Sequence, residues 1–246
     1  MTRPESVDRA AARVSASPGP RAWYRQAGAR IVRNLPIKLV GTPAVIFAFF
    51  GVYRHLLNYP RFPVTEMPLT ALDQLIRFWP PALILYVSLW VYITIPSALS
   101  PTFRELVYYA WTIGVVCLIG LAVFFVWPTA VPPPGFDRAQ YPGFKVLSGL
   151  DAAGNACPSL HVATVVFAAI WLDAILREMD AGRVAQGVSW LWGLGIVYSA
   201  MATKQHVAID VAAGAALGVV GALLAVRRRP PTALPNLHSR ERGASR

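Results

Sequence analysis

An all-α, polytopic membrane bundle is the fold this sequence predicts, and three observations predict it. Hydrophobic residues make up 55% of the 246 residues and charged residues only 14%, a balance too apolar for an ordinary soluble domain. Mean hydropathy is positive. Apolar runs of about 20 residues, the length a helix needs to cross the hydrocarbon core of a bilayer, recur six times, at 37–57, 79–99, 106–127, 158–176, 184–203 and 206–226.

The elements follow in order. Residues 1–36 form a basic N-terminal segment, in which 1–21 is rich in Arg, Ala, Ser and Pro without apolar periodicity and reads as disordered. The stretch 23–33 reads as a helix able to lie flat on the inner leaflet. The first apolar run starts late and is too long for a cleaved signal peptide, so it is expected to stay as a span. It is the weakest of the six, because Pro43 sits inside it and Arg54 and His55 must snorkel towards headgroups. Loop 58–78 follows, where Thr70 and Asp73 have the spacing of a capping box and predict a short interfacial helix. Loop 128–157 is the longest; it opens on Pro128 and Pro132-Pro133-Pro134 and closes through Gly149 and Gly154. Prolines stiffen the exit from the third span, and glycines let backbone approach a ligand. The last span carries Gly214 and Gly218, a G-x-x-x-G spacing that allows close helix approach. One six-span catalytic domain over 37–226, followed by a basic tail over 227–246, accounts for the length.

Charge fixes the orientation. An even span number puts both termini on one side, and that side holds all of the 23 Lys and Arg residues except Arg54, Arg61, Arg77, Arg138, Lys145 and Lys204. The positive-inside rule makes it the cytoplasm. The formal net charge of +11 lies largely in the two tails, where it sets topology and meets anionic lipid; the partners expected are the membrane and a phospholipid or lipid phosphate, not nucleic acid. Cys117 and Cys157 fall at different depths, so two free thiols are expected.

The polar residues that open the fourth and sixth runs are the candidate site. They are Cys157-Pro158-Ser159-Leu160-His161 and Lys204-Gln205-His206-Val207-Ala208-Ile209-Asp210. Ionisable groups at the edge of a span are costly and mark function. His206 and Asp210 are four apart, so on a helix the carboxylate can hold one imidazole nitrogen. Pro158 suits a first helical turn. The amides of such a turn attract anions, phosphate above all, with the Ser159 hydroxyl as a further donor. Lys204 supplies a cation two residues before His206. Both segments start spans running from outside to inside, so they are expected to meet at the outer face.

These residues resemble the type 2 phosphatidic acid phosphatase superfamily, whose members include lipid phosphatases, inositol phosphorylceramide synthases and vanadium haloperoxidases. Its second motif, Pro-Ser-x-His, is matched by Pro158, Ser159, Leu160 and His161, and its third, Ser-Arg-x5-His-x3-Asp, by Ser199, His206 and Asp210. The resemblance spans roughly residues 105–225. Leu160, where the phosphatases commonly have glycine, is more similar to the bacterial branch containing inositol phosphorylceramide synthase. The resemblance implies that His206 attacks phosphorus to form a phosphohistidine, that Asp210 orients it, and that His161 protonates the leaving oxygen. Lys204, Ser159 and the Leu160 amide would hold the phosphate, with no metal and no cofactor. Two features depart from the pattern. Ala200 replaces the third motif's arginine, and the first motif, Lys-x6-Arg-Pro, is missing, with Pro133 where a related pattern has arginine. Arg138, Lys145 and Arg54 are the other outward-facing cations.

The expectation is a membrane lipid phosphoesterase working at the outer face, in a bacterial inner membrane with its site towards the periplasm. A lipid phosphotransferase shares every residue named and differs only in whether water or an alcohol accepts the phosphoryl group. A non-catalytic lipid-binding relative is the alternative of a different class, favoured by the missing arginines and opposed by the intact His, His and Asp set.

Overall fold

The computed structural model describes residues 20–141, 143–144 and 155–230. The segments expected to be disordered or basic at either end, Lys145, and the Gly149 to Gly154 stretch lie largely or wholly outside these residues. The described chain is mostly helical: α1 (Pro20–Val32), α2 (Leu35–Asn58), α3 (Ala71–Leu75), α4 (Ala82–Val87), α5 (Leu89–Tyr92), α6 (Ile95–Leu99), α7 (Phe103–Val126), α8 (Leu160–Glu178), α9 (Gly182–Ala202) and α10 (Ala208–Arg227). Five stretches are long and apolar enough to cross a membrane: α2, Ala82–Leu99, α7, α8 and α10. Helix α9 has the length, but Arg183, Gln186, two serines and several glycines dilute its hydropathy, so it does not count with the five.

The second apolar run is not one smooth helix. It breaks into α4, α5 and α6 because hydroxyls bond back to nearby carbonyls: Ser88 Oγ to Leu85 O at 2.7 Å, Thr94 Oγ1 to Val91 O at 2.8 Å and Ser97 Oγ to Thr94 O at 2.8 Å. Such bonds compete with the helical ladder. Pro96 has no N–H to continue it.

Helix α8 is the centre of the bundle, packed against α6, α7, α9 and α10, with Val162, Ala163, Phe167, Trp171 and Ile175 wholly buried. Its tightest neighbour is α10. A Cβ added at Gly214 would run into the Ser159 carbonyl oxygen, and one at Gly218 would lie 2.5 Å from that of Ala163. The glycine spacing therefore serves backbone-to-backbone approach, as it does at membrane helix crossings. Helix α7 accommodates α8 in the same way, since a Cβ at Gly120 would run into the Leu160 side chain.

Ion pairs gather the opposite end of the bundle. Arg30 of α1 pairs with Glu178 at the end of α8 at 2.6 Å; Arg229, just past α10, pairs with Glu178 at 2.8 Å and with Glu105 of α7. Lys38 near the start of α2 donates to the carbonyls of Arg30, Ala98 and Ser100. The ends assigned to one side by charge thus meet each other. Helix α1 packs on α6 with Tyr24, Ile31 and Val32 exposed.

At the site end, two-residue strands interrupt an otherwise helical chain. β1 (Thr65–Glu66) pairs in parallel with β2 (Thr129–Ala130), and Thr129 bridges to Asn155. No alternating pattern in the sequence marks pairs this short. Their effect is to tie loop 58–78 to loop 128–157, immediately before Cys157.

Filling the crossing tests its importance. Gly214→Ala should destabilise the protein by about 1–3 kcal/mol, the usual cost of overpacking, whereas Gly114→Ala, whose added Cβ meets nothing within 4 Å, should leave stability unchanged or slightly raised. Thermal unfolding in detergent compares the two.

Candidate active site

His206 sits in the turn between α9 and α10, and that turn is built by capping. Lys204 N–H donates to Met201 O at 3.0 Å and Gln205 N–H to Ala200 O at 3.1 Å, the paired bonds of a Schellman end. The left-handed residue this requires is Lys204, at φ 56°, where glycine would be usual; a non-glycine residue there costs about 1–2 kcal/mol. The His206 amide also donates to Ala200 O, at 3.0 Å.

The sequence pairing of His206 with Asp210 is realised. His206 Nδ1 lies 3.1 Å from Asp210 Oδ2, with His206 9% exposed and Asp210 wholly buried. With Nδ1–H donating to the carboxylate, Nε2 carries the ring's lone pair. The other Asp210 oxygen is buried without a hydrogen-bond partner.

Ser159 caps α8, accepting from the Val162 amide at 3.2 Å, and its own amide donates to Asp210 O at 3.0 Å. That last bond joins the two motif segments directly. His161, the second residue of α8, stacks on Tyr86 with ring centroids 4.0 Å apart and planes 11° apart. Its Nε2 is buried with no hydrogen-bond partner. The rings of His161 and His206 are 6.1 Å apart, centroid to centroid. The structure therefore brings together His161, His206, Asp210, Ser159 and the backbone at Leu160.

The cations are arranged differently from the sequence expectation. Lys204 Nζ donates to the carbonyls of Asp73 at 2.7 Å and Ile76 at 2.5 Å, so two of its three donors are spent on the protein. Arg138 Nη1 donates to Lys204 O at 2.7 Å, which brings loop 128–157 to the His206 turn. Arg54 lies in the last turns of α2. Ala200, in the place of the motif arginine, is wholly buried against Tyr86, Phe144 and Val162; apolar packing occupies the space an arginine would need. Pro133 is exposed. Among the described residues, no three His, Cys, Asp or Glu side chains are grouped so as to hold a metal ion.

Two neighbours of the site were not legible. Tyr86 lies in an apolar run with nothing to distinguish it from other span tyrosines. Asp73 was read as a cap for its own short helix. It does make that capping box with Thr70, but its Oδ1 also accepts from the Ala208 amide at 2.8 Å, at the start of α10. Nothing in the sequence signals the second role; the structure does, by burying this carboxylate of loop 58–78 to 7% exposure.

A model of the PAP2 superfamily matches residues 43–232. The chain belongs to the PAP2 superfamily. That match takes in both motif segments, the Asp73 loop and every long helix from α7 onward. No curated protein and no solved structure matches the chain. As a PAP2 superfamily protein with several long apolar helices, it is a membrane protein of phosphatase or phosphotransferase type acting on lipid phosphate esters.

Cys157 is packing rather than chemistry. It is buried, its amide donates to Thr129 Oγ1 at 2.8 Å, and burial, reinforced by the Asp210 charge, pushes its thiol above the ordinary value. Since only the thiolate reacts, alkylation of Cys157 in a Cys117→Ala background should be slow at pH 8. It should accelerate only at higher pH than for a free thiol, and Cys157→Ala should keep its turnover. Mass spectrometry of alkylated protein and a lipid phosphate assay check both.

Proposed function

We propose that the protein transfers the phosphoryl group of a lipid phosphate to water through a phosphohistidine at His206. The observation that carries this reading is the His206–Asp210 hydrogen bond with the His161 ring 6.1 Å across from His206. In-line attack needs reacting atoms about 3–3.5 Å apart, and a phosphorus lying against His206 would carry its leaving oxygen on the side of His161. His206 Nε2 forms the N–P bond as the bond from phosphorus to the lipid oxygen breaks. His161 gives that oxygen its proton. Asp210 holds the tautomer and offsets the imidazolium charge. Water then gives a proton back to His161 and attacks phosphorus, releasing phosphate and restoring His206.

The phosphate oxygens would be met by the Ser159 hydroxyl, the amides of Leu160 and His161 at a helix start with no intrahelical acceptor, and the remaining N–H of Lys204. Six spans with both ends in the cytoplasm remain our topology, with 37–226 as the catalytic domain; the Lys and Arg distribution and the ion pairs joining Arg30, Glu178 and Arg229 support it. The site then lies at the outer face, towards the periplasm of a bacterial inner membrane. Transfer to an alcohol, as in the inositol phosphorylceramide synthase-like branch, is the second reading. The burial of Ser159, Asp210 and His206 favours it, because a site that limits water gives a bound alcohol the advantage.

The roles separate by leaving group. His206→Ala should be inactive on both phosphatidic acid and an aryl phosphate, whereas His161→Ala should retain more activity on the aryl phosphate, whose leaving group needs no acid. Equal losses in both variants on both substrates would remove the division of roles. Product analysis with and without alcohol acceptors distinguishes hydrolysis from transfer, and lipid binding without any product would leave only a binding protein.

A further inference from the structure

We propose that Asp73 is a positioning residue for His206, acting from outside both motifs by locking the turn that carries the nucleophile. The inference rests on the reading of His206 above, and it assigns a function to the outer loop that the motifs leave unused.

Three links fasten residues 70–79 around His206. Asp73 Oδ1 accepts from the Ala208 amide at 2.8 Å, two residues after the histidine. Lys204, two residues before it, donates through Nζ to Asp73 O and Ile76 O at 2.7 and 2.5 Å. Trp79 N–H donates to Ala202 O at 2.9 Å. One short segment therefore grips the chain on both sides of His206. Helix α10 needs this, since Val207 at its N-cap offers no side-chain acceptor; Asp73 provides the cap from a distant part of the chain.

The carboxylate is itself fixed. Oδ2 accepts from both the amide and the hydroxyl of Thr70, each at 2.7 Å. Its burial at 7% exposure is tolerated because donors meet both oxygens and a helix N-terminus favours the negative charge. The αL conformation of Lys204 points the same way: a costly backbone geometry is retained where its ammonium reaches the Asp73 segment.

A carboxamide at this position would present an N–H₂ group to one of these donors, loosening either Thr70 or Ala208 while keeping the volume. Misplacing a reacting group by about 1 Å costs on the order of 100-fold in rate. Asp73→Asn in the full-length protein in detergent is therefore expected to lower kcat on phosphatidic acid by about 10- to 100-fold with KM unchanged. The ¹⁵N signals of the His206 ring should shift as its Nδ1–H bond to Asp210 loosens. Glu66→Gln, an exposed carboxylate in the same loop, should match wild type in every readout. Wild-type kcat in folded Asp73→Asn, or a loss confined to KM, would overturn the proposal. If Asp73→Asn does not fold, Thr70→Val removes one of the carboxylate's donors and should show a smaller kcat loss in the same direction; wild-type kcat there would equally overturn it. An inactive wild-type protein would sink the phosphoryl-transfer reading instead, and the ring signals would then decide on Asp73 alone: shifted signals support positioning, unshifted ones refute it.

Discussion

Backbone lies against backbone where α10 crosses α8, and both histidines depend on that contact. Gly214 and Gly218 present no side chains to Ser159 and Ala163, so the helices approach until the Ser159 amide can donate to the Asp210 carbonyl. Any larger residue in the seam would push α10 away and lengthen that bond. The consequence is chemical as well as structural. Asp210 is drawn to the start of α8, His206 follows through its own bond to Asp210, and His161 already stands in the first turn of α8. In a membrane, where apolar side chains gain little by leaving lipid for one another, close van der Waals packing and interhelical hydrogen bonds hold such a crossing.

Polar groups at the two ends of the bundle have different solutions to the same problem, the high cost of unpaired charge in an apolar surround. At the far end, Glu105, Glu178, Arg30 and Arg229 neutralise one another, and Lys38 spends its donors on three carbonyls. Their charges are paired, although Arg30 Nε and Nη1 and Glu105 Oε2 are buried without hydrogen-bond partners. At the site end, His161 Nε2 and Asp210 Oδ1 are likewise buried without hydrogen-bond partners, but the Asp210 carboxylate is held by an imidazole rather than a guanidinium. In the place of the motif arginine, Ala200 fills the space with apolar packing, and Lys204 gives two of its donors to the Asp73 and Ile76 carbonyls.

The sequence by itself determined the membrane setting and picked out the residues that gather at the candidate site. Apolar runs of bilayer length specify membrane helices, and the i, i+4 spacing keeps His206 and Asp210 within reach of each other, although His206 lies in the turn before α10 and not on the helix. The Gly214 and Gly218 spacing likewise announced a close crossing. What tertiary structure decided was everything that depends on which distant groups meet. Lys204, expected at the phosphate, is held by the Asp73 and Ile76 carbonyls; Asp73, expected as a local cap, also caps a second helix more than a hundred residues away; and Tyr86 becomes the stacking partner of His161. The second apolar run breaks where hydroxyls find carbonyls that composition alone does not rank. Periodicity records which face of an element is apolar, but a donor's choice among many carbonyls is made only when folding brings one of them within 3 Å.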